Sequence, residues 1–149
     1  MSKKLFVLNG SNLDMLGLRE PEVYGRATLD DIRAACERVA DDLGFELFFA
    51  QSNAEHELVE WVHDAFRQQA TVVINPAGFS FTSVPLLDAL HMLSTPVVEV
   101  HLTNIHARDA VHRNSLVSTV ARVVIAGAGA HGYELAIRAA DRLLSDTVG

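Results

Sequence analysis

The stretch TVVINPAGFSFTSVPLLDALHMLSTPVVEVHL, residues 71–102, reads as strand, helix, strand. TVVINP and PVVEVHL are rich in the β-branched and apolar residues that a pleated, covered surface favours. SVPLLDALHML, between them, carries a helical pattern. The same alternation runs on both sides. KLFVLNG is a short strand ending in a turn, FELFFAQSN is a second strand, and STVARVVIAG holds a fifth. TLDDIRAACERVADDLG sets Leu29, Ile32, Ala35, Cys36, Val39 and Leu43 at helical spacing, with Thr28 as N-cap and Gly44 as stop. AEHELVEWVHDAFRQQA puts Leu58, Trp61, Val62, Ala65 and Phe66 on one helix face, and GYELAIRAADRLL closes as a helix. Strands alternating with helices predict an α/β chain with one doubly wound, five-stranded parallel sheet in three layers.

In such sheets ligands bind beyond the carboxyl ends of the strands. That rule selects NGSNLDMLGLREPEVYG, QSN, NPAGFSFTS and HLTNIHARDAVHRNS, one after each of the first four strands. The first is long for a βα connection, where about 2–6 residues is typical, and it is polar and charged. It is a candidate lid.

Composition narrows the function. The 149 residues fit one domain spanning 1–149, and 49% hydrophobic with 21% charged is the balance of a soluble globular chain. No apolar run reaches the ~18 residues of a membrane span. The first apolar stretch stops at Asn9, too short for a signal sequence. The single cysteine, Cys36, excludes an intrachain disulfide, fits a reducing cytoplasm and reads as a small buried side chain. A formal charge of -7 disfavours a nucleic-acid surface. Lys3 and Lys4 are the only lysines, so a pocket lysine for Schiff-base chemistry is not expected.

Other chemistries fail on spacing. GAGAHG, residues 127–132, matches G-x-G-x-x-G, but a dinucleotide site needs a following strand with an acidic residue ~20 positions on. The 17 residues after Gly132 read as one helix, so the glycines read as a tight turn and no cofactor is expected. His101, His106 and His112 match no zinc spacing, and no metal is expected. His63 and His91 fall in helical segments. GFS at 78–80 is no nucleophile elbow, and its serine, Ser80, reads as a helix cap.

A proton-transfer site remains. Tyr24 is one of two tyrosines and lies in the charged loop beside Arg19, Glu20 and Glu22. A tyrosine with pKa ~10 is a poor base at neutral pH, but a guanidinium beside it favours the phenolate. Arg19 and Arg108 are the cations available. Glu99 and His101 stand two apart in a strand and so share a face. Glu99 then accepts an imidazole N–H and fixes the tautomer of His101, an acid at the strand's end. The plain alternatives are a loop-anchoring Tyr24 and a satisfied core histidine with a buried carboxylate partner.

Taken in order, these segments resemble the type II 3-dehydroquinases along nearly the whole chain. LNGSNLDMLGLREPEVYG is similar to the family's L-N-G-P-N-L-N-x-L-G-x-R-E-P-x-x-Y-G. INPAGFSFTSVPLLDAL resembles I-N-P-G-A-Y-T-H-T-S-V-A-x-x-D-A-L, EVHLTNIHAR resembles E-V-H-L-S-N-I-H-x-R, and GAGAHGYELA resembles G-x-G-x-x-G-Y-x-L-A. The resemblance implies a flavodoxin-like fold and anti elimination of water from 3-dehydroquinate, giving 3-dehydroshikimate. It implies a homo-oligomer, a dodecamer built from trimers. Tyr24 matches the family's base and Arg19 the arginine that activates it, with Arg108 a second cation. Asn75 matches the residue holding the water that stabilises the enolate, and His101 matches the acid. Leu102 and Thr103 match a backbone N–H pair that grips the substrate carboxylate, Asn12 a substrate-binding position, and Asp88 a carboxylate reaching across the trimer interface.

The departures cluster. The family's tyrosine and histidine after N-P-G-A are Phe79 and Phe81, and its arginine followed by histidine is His112 then Arg113. Ser11 replaces a proline and Asp14 an asparagine. The positions of Phe81 and His112 are those that bind the substrate's ring hydroxyls in the family. Two rivals follow: a paralogue that dehydrates a related cyclic hydroxy-keto acid, and a non-catalytic ligand-binding or assembly protein on the same fold. Intact Arg19, Tyr24, Asn75 and His101 speak against the second, because binding alone needs neither base nor acid.

Overall fold

The computed structural model of the chain describes residues 3–148. The apolar runs become β1 (Lys3–Asn9), β2 (Phe45–Gln51), β3 (Thr71–Asn75), β4 (Val97–His101) and β5 (Val123–Ala126). All pair in parallel, in the order β2-β1-β3-β4-β5, the expected flavodoxin-like sheet.

The period-two alternation of each strand feeds two cores. Leu5, Val7, Val73, Val98 and Val100 point to one face. There α2 (Leu29–Asp42) and α5 (His131–Val148) cover them with Ile32, Cys36, Val39 and Ile137. Phe6, Leu8, Val72, Ile74 and Val97 point to the other face, under Leu58, Val62, Leu86 and Leu90 of α3 (Glu55–Gln68) and α4 (Val84–His91). Each such branched side chain, fully buried, contributes about 1.5–3 kcal/mol. Thr28 caps α2 in a reciprocal box. Its Oγ1 accepts from the Asp31 N–H at 3.1 Å, and its own N–H donates to Asp31 Oδ2 at 3.0 Å. Gly44 ends the helix at φ +78°, as expected.

Two details depart from expectation. The capping serine after β3 is Ser83, whose Oγ accepts from the Leu86 N–H at 3.1 Å, not Ser80. A 3₁₀ turn at Ala77–Phe81, opened by Ala77 at φ +52°, delays the helix and moves the cap. Ser80 is buried inside that turn. The charged loop also contains a one-turn helix, α1 (Pro21–Tyr24), begun by Pro21, whose fixed φ suits a first helical turn. GAGAHG is a turn into α5, as expected: Gly127 takes φ +92°, and its N–H donates to the His101 carbonyl at 3.3 Å. No helix among the described residues is long and apolar enough to cross a membrane.

Candidate active site

β1 and β3 are neighbours, yet their onward connections leave on opposite faces, which opens a crevice at their carboxyl ends. Asn9 and Asn75 face each other there in register. The two strand ends are unusually close. The Gly10 N–H donates to the Asn75 carbonyl at 2.8 Å, and a Cβ on residue 10 would stand 2.1 Å from the Pro76 oxygen. Only glycine fits. The cleft beyond holds roughly 690 Å³ including its open mouth.

One wall is basic. Segment 11–25 leaves β1, is pinned by buried Leu13 and Leu16, and ends on α1. It carries Arg19 and Tyr24 to the cleft. The phenol oxygen of Tyr24 accepts from Arg19 Nη2 at 3.3 Å and from Arg108 Nη2 at 3.1 Å. Both guanidiniums also lie near its ring, at 4.8 and 5.6 Å from the centroid. Two cations on one phenol oxygen stabilise negative charge there.

The other wall answers why β4 carries Glu99 and His101. With Val97 they point to the α3–α4 face, while Val98 and Val100 point away. Glu99 is fully buried and accepts from His101 Nε2. Ser115 donates to its Oε2 and Ser118 to its Oε1, both at 2.6 Å. Burial pushes the Glu99 carboxyl up, but the hydrogen bonds from His101, Ser115 and Ser118 together prevail and hold it below the ordinary glutamate value. A carboxylate only accepts, so the His101 proton that faces it sits on Nε2, and Nδ1 is the nitrogen left over.

Between the walls lies Asn75. Its Oδ1 accepts from the Ala77 N–H at 3.2 Å, and its Nδ2 donates to the buried Tyr133 hydroxyl at 3.0 Å. Phe81 closes the site, its ring 6.5 Å from that of His101 and nearly parallel, and 5.4 Å edge-on from that of His112. Nδ1 of His112 hydrogen-bonds Asp109 at 2.7 Å, and this contact holds the Asp109 carboxyl below its usual range.

Residues 3–141 match the family described as Dehydroquinase class II. The chain belongs to that family. A 3-dehydroquinate dehydratase of Brucella canis is 54% identical over 139 residues, covering 93% of this chain and 88% of the relative. One from Phenylobacterium zucineum is 51% identical over 140 residues, covering 94% and 97%. The crystal structure of type II dehydroquinase from Propionibacterium acnes superposes with a TM-score of 0.91 at 41% identity, covering 95% of this chain and 98% of that one.

This class II dehydroquinase gathers most of the residues singled out in its sequence. Asn12, Arg19, Tyr24, Asn75, Phe81 and His101 line the cleft, as do Leu102, Thr103, Arg108 and His112. Glu99 sits directly behind His101. Asp88 does not join them: it is exposed on α4, outside the cleft. Arg113, also exposed, does not line it either. Sequence reasoning passed over Ser115, Ser118, Tyr133 and Asn9. The serines lie 16 and 19 residues from Glu99, with no local pattern to announce the contact. Tyr133 opens a helix and reads as core. Its signals were rarity, as the second of two tyrosines, and its place in the string GAGAHGYELA. Among the described residues no cluster of three His, Cys, Asp or Glu is arranged to hold a metal.

Proposed function

We infer that this dehydroquinase removes water from 3-dehydroquinate to give 3-dehydroshikimate, by anti elimination through an enolate. The observation that carries the reading is the pairing of a phenol oxygen held by two guanidiniums with a carboxylate-backed imidazole in one cleft. Tyr24, as phenolate, takes the proton from the carbon next to the ketone. The electron pair moves onto the ketone oxygen. Asn75 holds the water that stabilises this enolate. The enolate then collapses, and the departing hydroxyl leaves as water with a proton from His101. Arg19 and Arg108 stabilise the base, Glu99 orients the acid, and the N–H groups of Leu102 and Thr103 grip the substrate carboxylate. Asn12, Phe81 and His112 surround the ring.

The homo-oligomer, a dodecamer built from trimers in a reducing cytoplasm, belongs to the same reading. Asp88, exposed and away from its own cleft, then reaches the cleft of a neighbouring copy. Phe81 supports a second reading, a paralogue for a related cyclic hydroxy-keto acid, because its ring offers no hydrogen bond where the family pattern has histidine.

Solvent exchange separates the two proton-transfer roles. In deuterated water, His101→Ala should still exchange the substrate's proton next to the ketone while releasing almost no water. Tyr24→Phe should do neither. Exchange persisting in Tyr24→Phe would remove Tyr24 from the role of base.

A further inference from the structure

Asn9 and Tyr133, which no step above uses, form a buried chain that ends on Asn75. The Asn9 Nδ2 donates to the Ala50 carbonyl at 3.0 Å. The Tyr133 hydroxyl donates to Asn9 Oδ1 at 2.7 Å, and Asn75 Nδ2 donates to the Tyr133 oxygen at 3.0 Å. Asn9 and Tyr133 are fully buried, and neither lines the cleft.

The polarity of this chain follows from one atom. A backbone carbonyl only accepts, so Asn9 must turn its N–H₂ to Ala50 and its oxygen to Tyr133. That oxygen also only accepts, so the single Tyr133 proton is committed to it. The Tyr133 oxygen can therefore serve Asn75 only as an acceptor, which demands Nδ2 and rejects Oδ1. The Ala77 N–H makes the same demand from the other side. One N–H of Asn75 is then left over. Burial pushes the Tyr133 phenol well up, so it keeps its proton throughout the working pH range.

We propose that Tyr133 is a positioning residue: with Asn9 it fixes the Asn75 side chain with its amide nitrogen inward, so that the cleft is given a donor where negative charge develops. A carbonyl on β2 thus sets the orientation of a group on β3, across β1. This inference rests on the role of Asn75 in the proposed reaction. Preorganised donors act because they need no reorientation as charge forms. An amide free to flip would present its oxygen part of the time.

The test is a double-mutant cycle on the full-length protein with 3-dehydroquinate as substrate. Tyr133→Phe keeps the ring and its packing. It should lower kcat about 10- to 100-fold, as loss of orientation does, with KM within about twofold. In an Asn75→Ala background, Tyr133→Phe should cost nothing further, because its effect passes through Asn75. Asn9→Ala breaks the chain one link further out and should behave alike, so either variant suffices. Additive losses in kcat, a change confined to KM, or failure of both variants to fold would make Tyr133 a core residue only and overturn the inference. If Asn75→Ala alone left kcat unchanged, the assignment of Asn75 in the reaction would fall first.

Discussion

Phe81 and His112 carry the residue-scale question, because the residues proposed as acid and base follow the family pattern and those proposed to meet the substrate ring do not. Phe81 lies flat beside His101, so a substrate hydroxyl placed there loses its water without a new partner. An unpaired buried polar group costs about 1–3 kcal/mol. His112 lacks arginine's planar fork, and one of its nitrogens already serves Asp109. Arg113 is exposed and away from the cleft, so it does not compensate. Phe81→His combined with His112→Arg should therefore raise kcat/KM for 3-dehydroquinate by ~10-fold. Steady-state kinetics checks this. An unchanged or poorer double variant, set against an efficient parent, would mean that other side chains have rebuilt the pocket. At this scale the sequence was most legible where the residues that meet at the cleft lie in short ordered strings, as with Arg19, Tyr24 and the Glu99–His101 pair. It was least legible where partners meet through space, as Ser115 and Ser118 meet Glu99.

Among the elements, the ends of β1, β3 and β4 hold the site together. Gly10→Ala should lower stability by about 1–3 kcal/mol, since a Cβ at 2.1 Å from the Pro76 carbonyl forces β1 and β3 apart. It should also depress turnover, because Asn75 rides on that junction. A wild-type urea midpoint would contradict this. β4 adds a pH dependence. In the folded chain Glu99 ionises below its ordinary value of 4.5. The unfolded chain therefore takes up the proton first as the pH falls, and binds more protons in that window. The stabilisation is complete above the unfolded value and is lost as the pH drops through the lower folded one. Urea titrations from pH 7 down to about 3.5 should show this loss, with a shallower slope in Glu99→Gln; parallel profiles would refute it. The strands and helices were readable because β-branched runs and apolar stripes differ in period. The one-turn helix α1 and the move of the cap to Ser83 were not. A single helical turn has no period to detect, and a left-handed Ala77 leaves no mark in composition.

For the molecule as a whole, the chemistry is a matter of which groups reach the cleft. Lys3 pairs with Asp141 at 2.7 Å and Lys4 with Gln68 at 3.4 Å, both outside the cleft. Activity should survive borohydride added with substrate, and EDTA as well. Inactivation with a mass adduct or released metal would point to a different mechanism. If Asp88 serves a neighbouring copy, light scattering should report a trimer-based assembly, and dilution to protomers should abolish most turnover. A fully active monomer would contradict that arrangement. The central claim is most directly tested by following the conjugated enone absorbance when 3-dehydroquinate is added to the wild-type protein and to Tyr24→Phe. The account predicts steady turnover by the first and a kcat lower by ~10²–10⁴-fold in the second. No enone from the wild type, or near-wild-type turnover by Tyr24→Phe, would contradict it.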